Sequence, residues 1–230
     1  LCRAGHAVRL VGAIGSDAAG DALVTELARW PWDARGVTRL PGPTPQCVIL
    51  VEPDGERTIV SVQGHQDPPS WPEIDLDGVD AVYVGSRTPP PDGLFTAARA
   101  RGIPLVWQLR PGRRPPTVPD VVVTSDATLD AAEPRAGLAA LGLDADWLVV
   151  TRGAAGAVAE GDGARIEVPA VPAAVVDTTG AGDAFAAGLA HGRALGWPLR
   201  PCVEIAARWG ALAVAHAGST APASIADAVR

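Results

Sequence analysis

The chain has 230 residues, 47% of them apolar, a net charge of -7 and a pI of about 5.0, which suits one sizeable core with a small appendage and excludes a typical basic nucleic-acid binder. All 19 basic residues are Arg, so a Walker A loop, a protein-kinase site and a pyridoxal Schiff base, each of which needs Lys, are excluded. No apolar run approaches the ~18 residues of a membrane span and no signal-peptide layout opens the chain, so a cytoplasmic protein is expected, with neither membrane nor nucleic acid as partner.

In chain order, 8–12 reads as a strand and 21–30 as a helix with Leu23, Val24 and Leu27 on one face. Strands follow at 79–85, 105–109, 121–124 and 147–151, with a helix at 92–100 and shorter strands near 155–159 and 165–168. Helices close the chain at 184–195 and 199–215. Continuous apolar strands separated by helices indicate a mostly parallel sheet covered on both faces, an α/β fold. Residues 37–64 break the rhythm: 47–52 and 58–62 are β-rich around a Pro53-Asp54-Gly55 turn. That segment reads as a small β-lid, or alternatively as a surface hairpin or dimer contact. The core then comprises 1–36 and 65–230. Pro- and Gly-rich stretches at 41–45, 67–72, 89–93 and 111–119 read as loops.

Cys2, Cys47 and Cys202 are widely spaced and odd in number, so buried free thiols are expected. His6, His65, His191 and His216 lack metal-ligand spacing and read as packing or surface residues. The seven scattered Trp suit a core better than a nucleic-acid stacking platform. The chain opens on Leu1 and contains no Met, so a missing upstream piece is expected.

The strongest motif is D-T-T-G-A-G-D-A-F-A-A-G-L at 177–189. A β-like run at 171–176 enters a turn of small residues, Gly180, Ala181 and Gly182, from which a helix leaves. Small residues permit unusual dihedrals and close backbone approach. The N–H groups and dipole at a helix start favour an anion such as phosphate. A carboxylate beside a phosphate is costly unless it has a task, and the task open to Asp183 is to accept a proton from an attacking hydroxyl. The plainer reading is a glycine turn whose Asp caps a helix.

This string resembles the C-terminal signature of the ribokinase-like (PfkB) carbohydrate kinases, D-T-x-G-A-G-D-x-F-x-x-G. The resemblance implies a ribokinase-like three-layer sandwich with a β-lid, and ATP-dependent phosphoryl transfer to a hydroxyl of a small sugar or nucleoside. Asp183 would be the base, and the backbone of Gly180, Ala181 and Gly182 the anion hole. Asp177 would help to hold a monovalent cation such as K+, and Mg2+ would accompany ATP. Other segments agree in order. V-G-A-I-G-S-D-A-A-G at 11–20 resembles the stretch after an early strand, and Gly5 and Gly15 keep the spacing that ends the family's N-terminal signature. Thr151, Gly153 and Gly156 match the T-x-G-x-x-G turn of the nucleotide site, and 53–58 the lid hairpin. Residues 206–218, with Gly210 and Gly218, match the helix and loop flanking adenine; Thr178 joins this nucleotide set. Family lids often pair into homodimers.

Three departures stand out. The family's Gly-Gly turn and Asn would fall upstream of Leu1. A strand that usually ends D-x-N reads Gln108-Leu109-Arg110, and N-x-x-E reads Ser125-Asp126-Ala127-Thr128. Arg110, Arg113 and Arg114 read either as phosphate contacts or as solvated loop charges. Asp126 is a candidate stand-in for the lost acid. Two other classes compete: a non-catalytic nucleotide- or sugar-binding member of the fold, and a dinucleotide oxidoreductase. Gly12-x-x-Gly15 falls short of the oxidoreductase fingerprint.

Overall fold

The computed structural model describes residues 1–52, 57–62, 71, 73–85, 93–109, 118–130, 132–220 and 222–229. The Pro53-Asp54-Gly55 turn, His65 and Arg110, Arg113 and Arg114 lie outside the described residues. The chain forms two compact units that divide between Asp75 and Leu76.

The first unit begins with strand β1 (Val8–Gly15), helix α1 (Ala18–Leu27) and strand β2 (Trp32–Leu40), which pairs parallel with β1. The register shifts between Arg9 and Val11. There Gly36 comes so close that a Cβ would lie 2.8 Å from the Leu10 carbonyl oxygen, which explains a glycine inside a strand. β2 was not expected: Asp33, Arg35, Gly36 and Arg39 break its apolar pattern. The anticipated lid boundary at 36/37 falls inside this strand. Strands β3 (Cys47–Val51) and β4 (Arg57–Ser61) form an antiparallel hairpin with Val48 opposite Val60 and Ile49 opposite Ile59.

α1 starts three residues earlier than its apolar pattern indicates, because Asp17 caps it. The Asp17 carboxylate accepts from the N–H of Gly20 at 2.9 Å, a standard N-cap bond. It also accepts from the Thr44 N–H at 3.0 Å and the Thr44 hydroxyl at 2.5 Å. The Gly15 N–H in turn donates to the Thr44 hydroxyl at 3.0 Å. The G-x-D motif thus ties strand end, helix start and the loop before β3 together. Of the helix's expected apolar face, Leu23 and Val24 are exposed.

The second unit is a six-stranded sheet in the order β10-β9-β8-β7-β6-β5. Its strands are β5 (Val82–Val84), β6 (Leu105–Gln108), β7 (Val121–Ser125), β8 (Trp147–Thr151), β9 (Ala157–Gly161) and β10 (Ala164–Val168). β5 to β8 run parallel, while β9 and β10 are antiparallel. Consecutive side chains point to opposite faces. Leu105, Val106 and Trp107 are all buried, as are Leu148, Val149 and Val150, so both faces are covered. Helices α2 (Leu94–Ala100), α3 (Pro134–Ala140), α4 (Ala181–Ala194) and α5 (Leu199–Val214) provide the cover, with α4 on β5 and β6 and α5 on β9 and β10. α3 was not anticipated; it is only seven residues long and begins on Pro134.

α4 and α5 pack closely because their contact is lined with small residues. A Cβ on Gly188 would lie 2.6 Å from Ala206 Cα, and one on Gly192 2.7 Å from Cys202 Sγ. His191 is buried against Trp197 and Trp209, with ring centroids 5.3 and 5.0 Å away. Of the cysteines, only Cys202 is buried; Cys47 is exposed and Cys2 half-buried. The expectation for Cys47 fails because both faces of its hairpin are open. No helix among the described residues is long and apolar enough to cross a membrane.

Candidate active site

The carboxyl ends of the parallel strands place Gly85, Gln108, Ser125 and Thr151 along one edge of the sheet, where open α/β sheets take ligands. The start of α4 meets this edge: a Cβ built on Gly182 would have Gln108 Nε2 as its nearest neighbour, at 3.8 Å.

The turn into α4 departs from expectation in two ways. Residues 171–176 form no strand; they are exposed and tied down only at their end, where the N–H groups of Val176 and Asp177 donate to the Val214 carbonyl. Pro172 removes a donor, and none of the described strands pairs with this run. α4 begins at Ala181, three residues before the expected start, with Gly180 as N-cap at φ +79. Gly180 is required there: φ is positive, and a Cβ would also lie 3.1 Å from the Ser219 carbonyl oxygen. Ala181, Gly182 and Asp183 therefore occupy the first turn.

A helix start leaves four N–H groups without intrahelical partners. Ala181 N–H donates to the Thr178 carbonyl at 3.3 Å. The N–H groups of Gly180 and Gly182 donate to none of the described residues. Asp183 is exposed, two residues into the helix from its first. Its carboxylate shares solvent with the helix end that best suits an anion.

Asp177 braces this turn. One carboxylate oxygen accepts from the Thr179 N–H at 2.8 Å, and the other from the Gly218 N–H at 2.9 Å. Gly218, at φ +89, thereby joins the loop after α5 to the turn before α4. Thr178 lies between Asp177 and Thr179. The hydroxyl of Thr179 is buried with no hydrogen-bond partner among the described residues. Gly210 sits inside α5 facing Ala181 and Phe185, where a Cβ would be 3.6 Å from the Ala181 carbonyl oxygen. It brings α5 close to the first turn of α4.

Thr151, Gly153 and Gly156 form a separate turn. Thr151 Oγ1 donates to the Thr124 carbonyl at 3.2 Å, and the Arg152 N–H donates to the Gly156 carbonyl at 2.7 Å. Gly156, at φ +85, faces the Val168 carbonyl so closely that no side chain fits. Both turns lie at the ligand edge, but no hydrogen bond between described residues joins them. Asp126 is exposed after β7, its N–H donating to the Thr151 carbonyl at 2.9 Å. No group of three or more His, Cys, Asp or Glu among the described residues is arranged to hold a metal ion. Tyr83, the one tyrosine of the chain, was missed by sequence reading; its hydroxyl donates to Gln108 Oε1 at 2.7 Å.

Solved structures share this architecture. Arabidopsis thaliana ribokinase, complexed with ribose and ATP, matches with a TM-score of 0.78 at 23% identity, over 99% of this chain and 83% of that one. Adenosine kinase from Sinorhizobium meliloti matches at 0.74 and 25% identity, over 99% and 78%. An E. coli structure holding ATP and Mg2+ matches at 0.72 and 21% identity, over 95% and 80%. These establish the ribokinase fold. The pfkB family carbohydrate kinase model matches residues 1–103 and 119–226, and the chain belongs to that family of kinases.

Proposed function

We propose that the protein transfers the γ-phosphoryl group of ATP to a hydroxyl of a small sugar or nucleoside. The observation that carries this reading is the start of α4, where the N–H groups of Gly180 and Gly182 donate to none of the described residues and Asp183 lies in the first turn. Asp183 accepts the proton of the attacking hydroxyl, which raises the oxygen's nucleophilicity as the new bond forms. The N–H groups of the turn, with the helix dipole, stabilise charge on the transferring group. Positioning and electrostatics carry most of phosphoryl transfer.

The nucleotide is assigned to Thr151, Gly153 and Gly156 on one side and to Thr178 and Gly218 on the other, with Gly210 seating α5 against the first turn of α4. The ribokinase solved with ribose and ATP and the adenosine kinase support this substrate class. Mg2+ brought with ATP would neutralise phosphate charge, and phosphates and water would hold it in place of protein carboxylates. The buried Thr179 hydroxyl, with no partner among the described residues, and the Asp177 carboxylate bound to the Thr179 N–H supply oxygens that suit a monovalent cation such as K+.

The hairpin of β3 and β4 takes the lid role, excluding water from the reaction. Its exposed Val48, Leu50, Ile59 and Val60 support pairing with a second copy through the lid, since apolar surface of this kind marks an interface.

The test is ATP turnover against a panel of pentoses, ketohexoses and nucleosides. One acceptor should stimulate ADP formation and appear as its phosphate ester. If no acceptor is phosphorylated while nucleotide still binds, the protein is a binding member of the fold.

A further inference from the structure

Gln108 ends β6, and Tyr83 lies in β5 opposite Val106. Residues two apart share a face of a strand, so Tyr83, Val106 and Gln108 line one face, and α4 packs on both strands. The phenol lies over Gly85, just past the end of β5. A Cβ on Gly85 would run into the Tyr83 hydroxyl and lie 2.7 Å from Cζ, so glycine at 85 makes room for the phenol. In this pose the hydroxyl donates to Gln108 Oε1 at 2.7 Å. A primary amide carries its acceptor and donors on opposite branches. Fixing Oε1 on the phenol therefore turns Nε2 the other way, and Nε2 is the nearest atom to the Cβ position of Gly182.

We propose that Tyr83 is a positioning residue: it locks the Gln108 side chain so that the amide donor faces the start of α4 and adds a side-chain hydrogen bond to the transferring phosphoryl group. This rests on the phosphoryl-transfer reading above. The physical basis is preorganisation. A primary amide can present its oxygen to the anion in place of its nitrogen; a phenol that occupies the oxygen fixes the orientation before the reaction begins.

The experiment is calorimetric binding of MgADP with and without aluminium fluoride, a mimic of the phosphoryl group in transit. The proteins are wild type, Tyr83→Phe, Gln108→Leu and the double variant. Wild type should bind the fluoroaluminate complex more tightly than MgADP alone. Tyr83→Phe should weaken the complex by about 3- to 10-fold, the range of one hydrogen bond, and leave MgADP within about twofold. The double variant should bind no more weakly than Gln108→Leu alone, because the phenol acts through the amide. Gly85→Ala, which displaces the phenol, should repeat the Tyr83→Phe result and serves if that variant does not fold. Unchanged affinity in Tyr83→Phe, or a full additional loss in the double variant, overturns the proposal. If wild type gains nothing from aluminium fluoride, the anion hole itself fails and the proposal falls with it; if wild type gains and Tyr83→Phe matches it, only the positioning role fails.

Discussion

The Asp177 carboxylate accepts the Gly218 N–H at 2.9 Å across 41 residues of chain. With the bond from Thr179 N–H at 2.8 Å, one side chain fixes the turn into α4 and the loop that leaves α5. Asp177→Asn keeps the shape but converts one acceptor into a donor that faces an N–H. Charge-assisted hydrogen bonds contribute about 1.5–3 kcal/mol each. The expected outcome is a KM for ATP raised about 10-fold or more, with a smaller change in kcat, measured by steady-state kinetics at saturating acceptor.

Gly180→Ala tests whether the positive φ is required. The left-handed region costs a non-glycine residue about 1–2 kcal/mol, and here the Cβ also meets the Ser219 carbonyl oxygen at 3.1 Å. Urea denaturation should show a loss of about that size. Activity should fall further, because the turn can relax only by moving the N–H groups of the first turn.

Much of this site is legible in the sequence, and the reasons are local. The string from Asp177 to Leu189 contains its own turn, cap and helix start, so its local geometry can be read without knowing what packs on it. β6, β7 and β8 are legible because strands buried on both faces are continuous apolar runs. β2 is not, since its pairing with β1 is settled by tertiary contact against a polar, glycine-interrupted pattern. The 171–176 run has strand-like composition but pairs with none of the described strands, and composition does not reveal neighbours. Tyr83 and Gln108 are 25 residues apart and meet only because β5 and β6 are adjacent, a pairing no spacing rule encodes. Gly210 reads as a ligand glycine by position, while the structure shows it facing α4 across a helix contact.

Asp17 gives the fold an acid-sensitive point. Its carboxyl is held below the usual carboxylate range, first by the Thr44 hydroxyl and then by the N–H groups of Gly20 and Thr44. A depressed folded pKa contributes stability that is complete above the unfolded value of about 3.9 and is lost as pH falls through the folded value. Thr44→Val removes the largest of these causes. The acid limb of the stability curve should then move to higher pH. The buried Gly15 N–H also loses its acceptor, a cost of about 1–3 kcal/mol at neutral pH. Thermal melts between pH 3 and pH 7 would show both, and coincident acid limbs would contradict the assignment.

Thiol reactivity should separate the cysteines. Burial pushes the Cys202 thiol up to about 11, and the thiol also donates to the carbonyls of Pro198 and Trp197. Cys47 is exposed on the hairpin. With a disulfide reagent at pH 8, Cys47 should react in the folded protein because it is exposed, and Cys202 only when the protein unfolds, because the thiolate is the reactive form. Peptide mapping against time distinguishes them.

The central claim is that Asp183 is the base. It is tested most directly by Asp183→Asn, with single-turnover phosphorylation of the best acceptor and MgADP affinity measured on the same preparation. The expected result is a loss of about 10²- to 10⁴-fold in the chemical step, the usual contribution of a positioned base, with nucleotide affinity essentially unchanged. Turnover within a few-fold of wild type would contradict it.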